Sequence, residues 1–228
     1  MSKTHAFIFV RGGSKGLPRK NVLSIGGQPL FTHGINLARE LKEVDRIYVS
    51  TDCDEISEIA KTYEAEVIER PAKLASDTAS EWLAWQHAIR FVQKHDGLFD
   101  RFVSLPATAP LRKPQDVKKC FAALIPGIDI VITMSKSHRS PWFNMVDYDS
   151  NGHLKLVGAN EGIHRRQDSQ TCFDVTTVAY VARPKFILQT SCIWDGNVAG
   201  VEVPKERSID IDDSFDFAIA RFLMEQCN

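Results

Sequence analysis

Short apolar runs alternate with amphipathic segments along most of the chain. Residues 6–10 and 46–50 are continuous runs rich in β-branched and aromatic side chains, which is typical of strands buried on both faces of a parallel sheet. Apolar residues recur at helical spacing over 30–41 and 56–63. This alternation predicts an α/β fold with a mostly parallel sheet and helices on both faces. The same reasoning predicts strands at 67–68, 102–105, 128–134 and 178–181, and helices at 117–124 and 215–224.

One further helix is predicted from its start signal. Thr78 and Glu81 have the T-x-x-E spacing of a capping box, which places the helix start at Asp77 or Thr78. Trp82 and Trp85 follow on one helical face. We expect both rings to be core residues rather than stacking platforms for a ligand.

The regular alternation breaks in the segment 135–177. Within it, 139–144 and 149–152 have the composition of short strands joined by turns. We interpret 135–177 as an arm inserted into a single domain that spans 1–228, with oligomerisation as its role.

The loop at 11–21, which reads RGGSKGLPRKN, follows the first predicted strand directly and carries the strongest chemical signal. Ligands of open α/β sheets bind at the carboxyl ends of strands. Glycines let the backbone approach a polyphosphate closely, and cations neutralise its charge. The cations available here are Arg11, Lys15, Arg19 and Lys20.

The loop could also belong to another class of nucleotide-binding motif or be a simple turn. The glycine spacing matches neither G-x-x-x-x-G-K-[ST] nor G-x-G-x-x-G, so a P-loop NTPase or a Rossmann dehydrogenase is disfavoured. A glycine-rich turn with solvated basic side chains remains an alternative to phosphate binding.

A pair of carboxylates near the C-terminus complements the basic loop. In an extended segment, Asp210 and Asp212 would share one face while Ile209 and Ile211 pack on the other. Two convergent carboxylates can hold Mg²⁺ together with phosphate oxygens and water. The alternative is that Asp212 or Asp213 only caps the last helix.

Composition limits the classes of function. The chain has 228 residues, 43% hydrophobic content and a net charge of −1, which suits one α/β domain and argues against nucleic-acid binding by bulk charge. No apolar run is long enough to span a membrane and no signal peptide is evident, so a cytoplasmic protein is expected. The five cysteines form no C-x-x-C pair, which argues against a zinc site or a disulfide framework.

Taken together, the motifs resemble the cytidylyltransferases that activate nonulosonic acids, a family typified by N-acylneuraminate cytidylyltransferase. The resemblance covers essentially the whole chain. It implies a three-layer, Rossmann-like nucleotidyltransferase fold and a homodimer. The implied reaction is CTP + nonulosonate → CMP-nonulosonate + pyrophosphate, with Mg²⁺ required. The matching segments are 11–21, Ser50-Thr51-Asp52, Arg70-Pro71, 74–77, 110–112, Arg166-Gln167 and 210–212.

The resemblance also implies roles for individual residues. Arg11, Lys15 and Asp212 would be catalytic, and Asp210 and Asp212 would bind Mg²⁺. Thr108 would contact the sugar acid, together with Arg166 and Gln167 on the arm, which reaches the neighbouring active site of the dimer. CTP would be bound by Arg11, Gly13, Ser14, Lys15, Lys20, Asn21, Arg70 and Asp77.

The chain departs from the sialate type on the sugar side only. Pro106 stands where that type has a glutamine, and Thr176 stands where it has an asparagine. CTP is therefore better supported than sialic acid as a substrate. The loop and the segment 140–144 resemble the branch that activates relatives such as legionaminic acid.

Three alternatives stay open. A Kdo-type cytidylyltransferase is one, although its loop usually differs from 11–21. The others are a non-catalytic nucleotide-binding module and a hydrolase that releases CMP. No histidine is placed as a general base, so we expect a water linked to Asp212, or the metal itself, to lower the pKa of the sugar hydroxyl.

Overall fold

The computed structural model describes residues 2–13, 16–158, 162 and 165–226, apart from the side chain of Arg166. Six α-helices and eleven strands lie within these residues. The helices are α1 (Thr32–Glu40), α2 (Asp54–Thr62), α3 (Glu81–His95), α4 (Pro114–Ala123), α5 (Pro184–Gln189) and α6 (Ser214–Gln226). The strands are β1 (Thr4–Phe9), β2 (Ser24–Ile25), β3 (Gln28–Pro29), β4 (Arg46–Thr51), β5 (Glu66–Glu69), β6 (Arg101–Ser104), β7 (Ile130–Lys136), β8 (Val146–Tyr148), β9 (Leu154–Leu156), β10 (Phe173–Ala182) and β11 (Val198–Glu202).

A seven-stranded sheet forms the centre of the molecule, in the order β11-β7-β10-β6-β1-β4-β5. Its strands run parallel except β10, which is antiparallel to both β6 and β7. The predicted mostly parallel sheet is therefore confirmed, and every strand and helix predicted outside 135–177 is present with shifted ends. Among the described residues, no helix is both long and apolar enough to cross a bilayer.

The two faces of the sheet bury different side chains. Along β1, Ala6 and Ile8 pack with α1, α2 and α4, whereas Phe7 points to the opposite face. That second face is aromatic: Trp82 and Trp85 of α3 are buried there. The prediction that both tryptophans are core residues is confirmed.

The predicted start of α3 is wrong by several residues. The helix begins at Glu81, its N-cap residue is Ser80, and no side chain caps it. Thr78 lies in a turn before the helix, and the Glu81 carboxylate accepts a hydrogen bond from Trp85 Nε1 at 3.1 Å instead of folding back as in a capping box. Asp77 is drawn away from the helix because it pairs with Arg11.

The irregular segment is continuous with the main sheet at both ends. β7 extends to Lys136, and β10 begins at Phe173, which pairs with it. Between them, β8 and β9 form a separate two-stranded hairpin whose turn lies at 149–152, whereas 139–144 holds a turn and no strand. Residues 137–172, which include β8 and β9, are the part of the predicted arm that lies outside β7 and β10. The name arm is used below for these residues.

Candidate nucleotide-binding site

A cavity of about 350 Å³ opens at the carboxyl ends of β1, β5 and β6, beside the N-terminus of α3. This is the edge at which open α/β sheets bind ligands. Most of the described residues that were predicted to bind substrate line this one cavity: Arg11, Gly13, Lys20, Asn21, Arg70, Asp77 and Thr108.

The basic loop is held in place by its backbone. The amide of Gly12 donates to Asp52 Oδ1 at 3.0 Å, and Asn21 Nδ2 donates to the carbonyl of Arg11 at 3.1 Å. At Gly16, an added Cβ atom would overlap the carbonyl oxygen of Asp212. The loop therefore packs directly on the segment that carries the predicted metal ligands. Ser14 and Lys15 lie outside the described residues.

The cations of the loop point in different directions. Arg11 pairs with Asp77 at 2.8 Å, and both line the cavity. Lys20 is buried, with its ammonium group bonded to the carbonyl of Ile211 and paired with Asp212 at 3.1 Å. Arg19 instead pairs with Glu55 of α2, away from the cavity lining. Of the three cations of this loop whose positions are described, Arg11 and Lys20 therefore line the cavity and Arg19 does not.

Arg70 is a fixed donor at the opposite wall. Its Nε donates to Ser50 Oγ at 3.2 Å, and its Nη2 donates to the carbonyl of Ser50 at 2.7 Å. The guanidinium lies 5.6 Å from the ring centre of Phe9. Burial lowers the pKa of Arg70, partly offset by the charges of Asp52 and Glu81. Only Nη1 is left without a hydrogen bond to a described residue, so it can serve a ligand.

The C-terminal carboxylates separate into two roles. Asp213 is the helix cap, because its Oδ1 accepts from the backbone amides of Phe215 and Asp216. The side chains of Asp210 and Asp212 accept no hydrogen bond from the described first turn of α6, although the backbone amide of Asp212 donates to Asp216 Oδ2 at 3.0 Å. Asp210 Oδ1 is buried and has no hydrogen-bond partner among the described residues, whereas Asp212 is exposed.

An orphaned buried carboxylate oxygen is the kind of group that a cation satisfies. The described residues contain no cluster of three or more acidic, histidine or cysteine side chains suited to a metal. A site here would consist of the two carboxylates completed by phosphate and water, which is how Mg²⁺ is usually held at nucleotide sites.

Arg112 was given no individual role by the sequence analysis, although it belongs to the matching segment 110–112. It is buried, and its guanidinium donates to the carbonyls of Ala109 and Pro106, which shapes the loop after β6. Burial lowers the pKa of Arg112 to about 9, and the charge of Asp210 opposes this effect most strongly. Arg112 therefore holds the loop that contributes Pro106 to the cavity lining, and the charge of Asp210 favours its protonated form.

Glu81 and Tyr180 also line the cavity and were not predicted as site residues. Burial raises the pKa of Tyr180 to about 12, with the charges of Glu81 and Asp210 adding to the effect. The only sequence signal for Tyr180 was its polar hydroxyl group within an otherwise apolar predicted strand, 178–181.

The two sugar-side contacts whose side chains the structure describes, Thr108 and Gln167, lie in different cavities. Thr108 lines the main cavity, but Gln167 lines a second cavity of about 400 Å³ at the base of the arm. The side chain of Arg166 lies outside the description. Thr176 turns into the sheet, where its hydroxyl donates to Thr133 Oγ1 at 2.9 Å, and Thr177 lines the cavity instead.

Comparison with known proteins agrees with this geometry. A protein-family model described as cytidylyltransferase matches residues 6–127. Post-translational flagellin modification protein B of Campylobacter coli is 32% identical over 100% of this chain and 97% of its own length. The CMP-N,N'-diacetyllegionaminic acid synthase of Campylobacter jejuni is 31% identical, again over 100% of this chain and 97% of its own length. The chain therefore belongs to the cytidylyltransferase family, and it is a nucleotidyltransferase.

Solved structures extend the likeness to the fold. A CMP:2-keto-3-deoxy-manno-octonic acid synthetase solved with CTP superposes with a TM-score of 0.74 at 17% identity, covering 100% of both chains. A 4-diphosphocytidyl-2C-methyl-D-erythritol synthase superposes with a TM-score of 0.72 at 9% identity, covering 98% of this chain and 100% of its own. At these identities the superpositions establish the nucleotidyltransferase architecture alone.

Proposed function

We propose that this protein transfers CMP from CTP to a nonulosonic acid, and that the acid is of the legionaminic type. The observation that carries the proposal is the cavity itself, where fixed cations lie at the carboxyl ends of parallel strands and Lys20 connects the lining to the segment that carries Asp210 and Asp212. The likeness to the legionaminic acid synthase over the full chain supports the class of acid.

The phosphates of CTP would bind at the end of the cavity where the cations of the glycine loop lie. Arg11 and Lys20 face the cavity from the glycine loop, and each is already oriented by a carboxylate partner. Such preorganised cations stabilise the charge that develops on the phosphate oxygens without reorganising during the reaction. Ser14 and Lys15 of the same loop would complete the phosphate cradle.

Asp210 and Asp212 would hold Mg²⁺. When bound, the ion supplies charge neutralisation at the phosphates and lowers the pKa of a coordinated hydroxyl or water. In the transfer, the 2-hydroxyl oxygen of the acid bonds to the α-phosphorus while the bond from that phosphorus to the pyrophosphate oxygen breaks. The hydroxyl proton passes to solvent through a water on the exposed Asp212 carboxylate.

The arm would complete the enzyme as a homodimer. Its hairpin exposes large apolar side chains, including Tyr148, at 69% exposure, and Leu154, at 63%. A two-stranded hairpin is marginally stable by itself in water, so a surface of this kind needs a covering partner. A second copy of the chain would cover it and bring Arg166 and Gln167 toward the neighbouring cavity. Sedimentation of the purified protein tests this directly, and a monomer at micromolar concentration would contradict it.

The reaction is tested by measuring pyrophosphate release from CTP and Mg²⁺ with a panel of legionaminic, pseudaminic, sialic and Kdo acids. The product is identified by mass. Asp210→Asn keeps the size of the side chain and removes its charge, and Asp54→Asn on the exposed surface of α2 is the matched control.

We expect turnover with a legionaminic acid in the wild type and in Asp54→Asn, and none in Asp210→Asn. Release of free CMP would instead identify a hydrolase. Silence with every acid, in folded protein that binds CTP, would contradict the proposal and favour a non-catalytic module.

A further inference from the structure

Asp116 is a buried acidic side chain that the proposed chemistry does not use. It is the third residue of α4, it has no exposed surface, and its carboxylate holds Arg207 through both oxygens. Arg207 Nε donates to Oδ2 at 2.9 Å, and Nη2 donates to Oδ1 at 2.8 Å. The backbone amide of Lys113 also donates to Oδ2, at 2.9 Å. The start of α4 thus fixes the carboxylate, and the carboxylate fixes Arg207.

Arg207 stands three residues before Asp210, in the segment that carries the predicted metal ligands. A second attachment holds this segment on the other side of Asp210, because the backbone amide of Ile211 donates to the carbonyl of Thr108 at 2.9 Å. Both attachment points, Thr108 and Asp116, belong to the stretch between the end of β6 and the first turn of α4. Asp210 therefore lies between two tethers to one part of the core.

The two predicted metal ligands depend on these tethers to different degrees. Asp212 has attachments of its own, because its carboxylate pairs with Lys20 at 3.1 Å and its backbone amide donates to Asp216 Oδ2 at 3.0 Å. Asp210 Oδ1 is buried and accepts no hydrogen bond from any described residue. The position of that oxygen is therefore set by where the backbone on either side is held.

We infer that the ion pair of Asp116 and Arg207 positions Asp210 for the divalent cation. Mg²⁺ requires a near-ideal octahedral arrangement of oxygen atoms at short distances, so each carboxylate must be presented accurately. In metal sites, the partners behind the ligands supply that accuracy. Asp116 and Arg207 are positioning residues in this sense, since they act on the ion only through Asp210. The inference rests on the role of Asp210 as a metal ligand in the proposed function.

An ion pair that only stabilises the fold is the competing interpretation. Burying such a pair often adds little to stability, because desolvation of the two charges offsets their attraction. The Arg207 side chain also remains 22% exposed, so it is not needed to fill the core. A bidentate arginine and carboxylate pair does, however, fix geometry, because its two parallel hydrogen bonds permit few relative orientations. Fixed geometry is what the segment before Asp210 requires.

The test variant is Arg207→Lys. Lysine keeps the positive charge beside Asp116, but it cannot form the two parallel hydrogen bonds of a guanidinium. Arg46→Lys is the matched control, because Arg46 also pairs with carboxylates, those of Glu66 and Asp96. It lies at the amino end of β4, whereas the cavity lies at the carboxyl ends of the parallel strands. Urea denaturation verifies that both variants fold and measures their stability.

Binding of CTP is measured by calorimetry in the presence of Mg²⁺ and again in EDTA, without any sugar acid. The ratio of the two affinities reports how well the complex holds the metal, and we expect Mg²⁺ to tighten binding to the wild type. In Arg207→Lys this tightening should be about 10-fold to 100-fold smaller, which is the usual effect of losing a partner behind a metal ligand. Binding in EDTA should not change. Arg46→Lys should behave as the wild type does.

An equal effect of Mg²⁺ on the wild type and on Arg207→Lys would overturn the inference. If that variant also loses stability, Asp116 and Arg207 form a structural pair only. Asp116→Asn removes the charge from the other side of the pair and should reduce the effect of Mg²⁺ in the same direction. A normal effect of Mg²⁺ in folded Asp116→Asn would likewise overturn the inference.

The same measurement separates this inference from the proposed function. A wild type whose affinity for CTP does not respond to Mg²⁺ would contradict the metal-binding role of Asp210 and Asp212, and the inference with it. A wild type that responds, together with an Arg207→Lys variant that responds equally, would contradict the inference alone. The transfer reaction is tested independently by pyrophosphate release, which the binding assay does not use.

Discussion

The nucleotide end of the cavity and the arm are built in opposite ways. At the nucleotide end, charged side chains are buried and each is held by hydrogen bonds to the core: Arg70 to β4, Arg112 to the loop after β6, and Lys20 to the segment before α6. In the arm, by contrast, large apolar side chains such as Tyr148 and Leu154 are exposed.

The difference follows from the cost of each kind of burial. A desolvated charge is tolerated only where partners satisfy it, and Arg70, Arg112 and Lys20 find hydrogen-bond acceptors within one chain. An apolar surface can be left open if a partner covers it later. We therefore expect nucleotide binding to be a property of the single chain, and binding of the acid to depend on the assembled dimer.

The largest effect is expected from Lys20→Met at the nucleotide end. The substitution removes the ammonium that neutralises charge beside Asp212 and leaves the Ile211 carbonyl without its donor. Turnover should fall by about 100-fold to 1,000-fold, as for the loss of other preorganised charge contacts. Pyrophosphate release measures the loss. Lys118→Met on the exposed face of α4 is the control, and similar losses in both variants would argue against the assignment.

The next effect is expected from Leu154→Glu in the arm. A carboxylate in an apolar interface is desolvated without a partner, so dimerisation should weaken by at least about 100-fold, equivalent to about 2.7 kcal/mol. Sedimentation measures the dimer, and calorimetry measures CTP binding by the same samples. Dissociation of the dimer with retention of CTP binding would show that the nucleotide end functions independently of the arm. Loss of both together would show that the two regions are not independent.

A smaller effect is expected at the contact between the glycine loop and the C-terminal carboxylates. Gly16→Ala places a methyl group against the Asp212 carbonyl, whereas the methyl group of Gly13→Ala meets no atom of the described, non-adjacent residues within 4 Å. Gly16→Ala should lower the free energy of unfolding by about 1–3 kcal/mol and raise the KM for CTP. Urea denaturation compares the two variants. Equal stability would mean that the loop moves aside without cost.

The smallest effect concerns His33, which lies in the first turn of α1. Its Nε2 donates to the carbonyl of Ile25 at 2.9 Å, and its Nδ1 accepts from Gln28 at 2.8 Å, so the neutral ring is required. Burial lowers the pKa of His33 below the ordinary value of 6.5.

This shift predicts the direction of a pH effect on stability. As the pH falls below 6.5, the unfolded chain takes up the proton first, so the free energy of unfolding decreases until the folded pKa is reached. Urea denaturation at about pH 7.5 and about pH 5.5 should show that His33→Gln reduces this loss by less than about 1 kcal/mol. His5 and His87 also have lowered pKa values, so part of the dependence of the free energy of unfolding on pH would remain in the variant. An identical pH dependence in the variant would exclude His33 as a contributor.

The order of elements was predictable because the hydrophobic patterns are local. Strands such as β1 and helices such as α1 bury side chains at periods that can be seen in the sequence. The start of α3 was not predictable, because Asp77 pairs with Arg11 across a gap of 66 residues and the Glu81 carboxylate serves Trp85. Both partners compete successfully with the local capping box.

The same distinction applies to the candidate site. Glycines and cations in one loop, and two aspartates at an extended spacing, indicate a polyphosphate and a metal through residue type and spacing alone. They do not indicate which cation faces the cavity, since Lys20 and Arg19 are neighbours in sequence but point to Asp212 and to Glu55. The separation of Gln167 from Thr108 is likewise invisible in the sequence.

The sequence by itself determined the fold class, the family resemblance and the chemical types present at the site, because each depends on residue identity and short-range spacing. The tertiary structure alone decided that Asp213 caps α6 while a carboxylate oxygen of Asp210 stays buried and unpaired among the described residues. It also placed Glu81 and Arg70 in one cavity. These outcomes depend on which distant groups compete for the same hydrogen bonds and the same buried space, and that competition is settled only when the chain is packed.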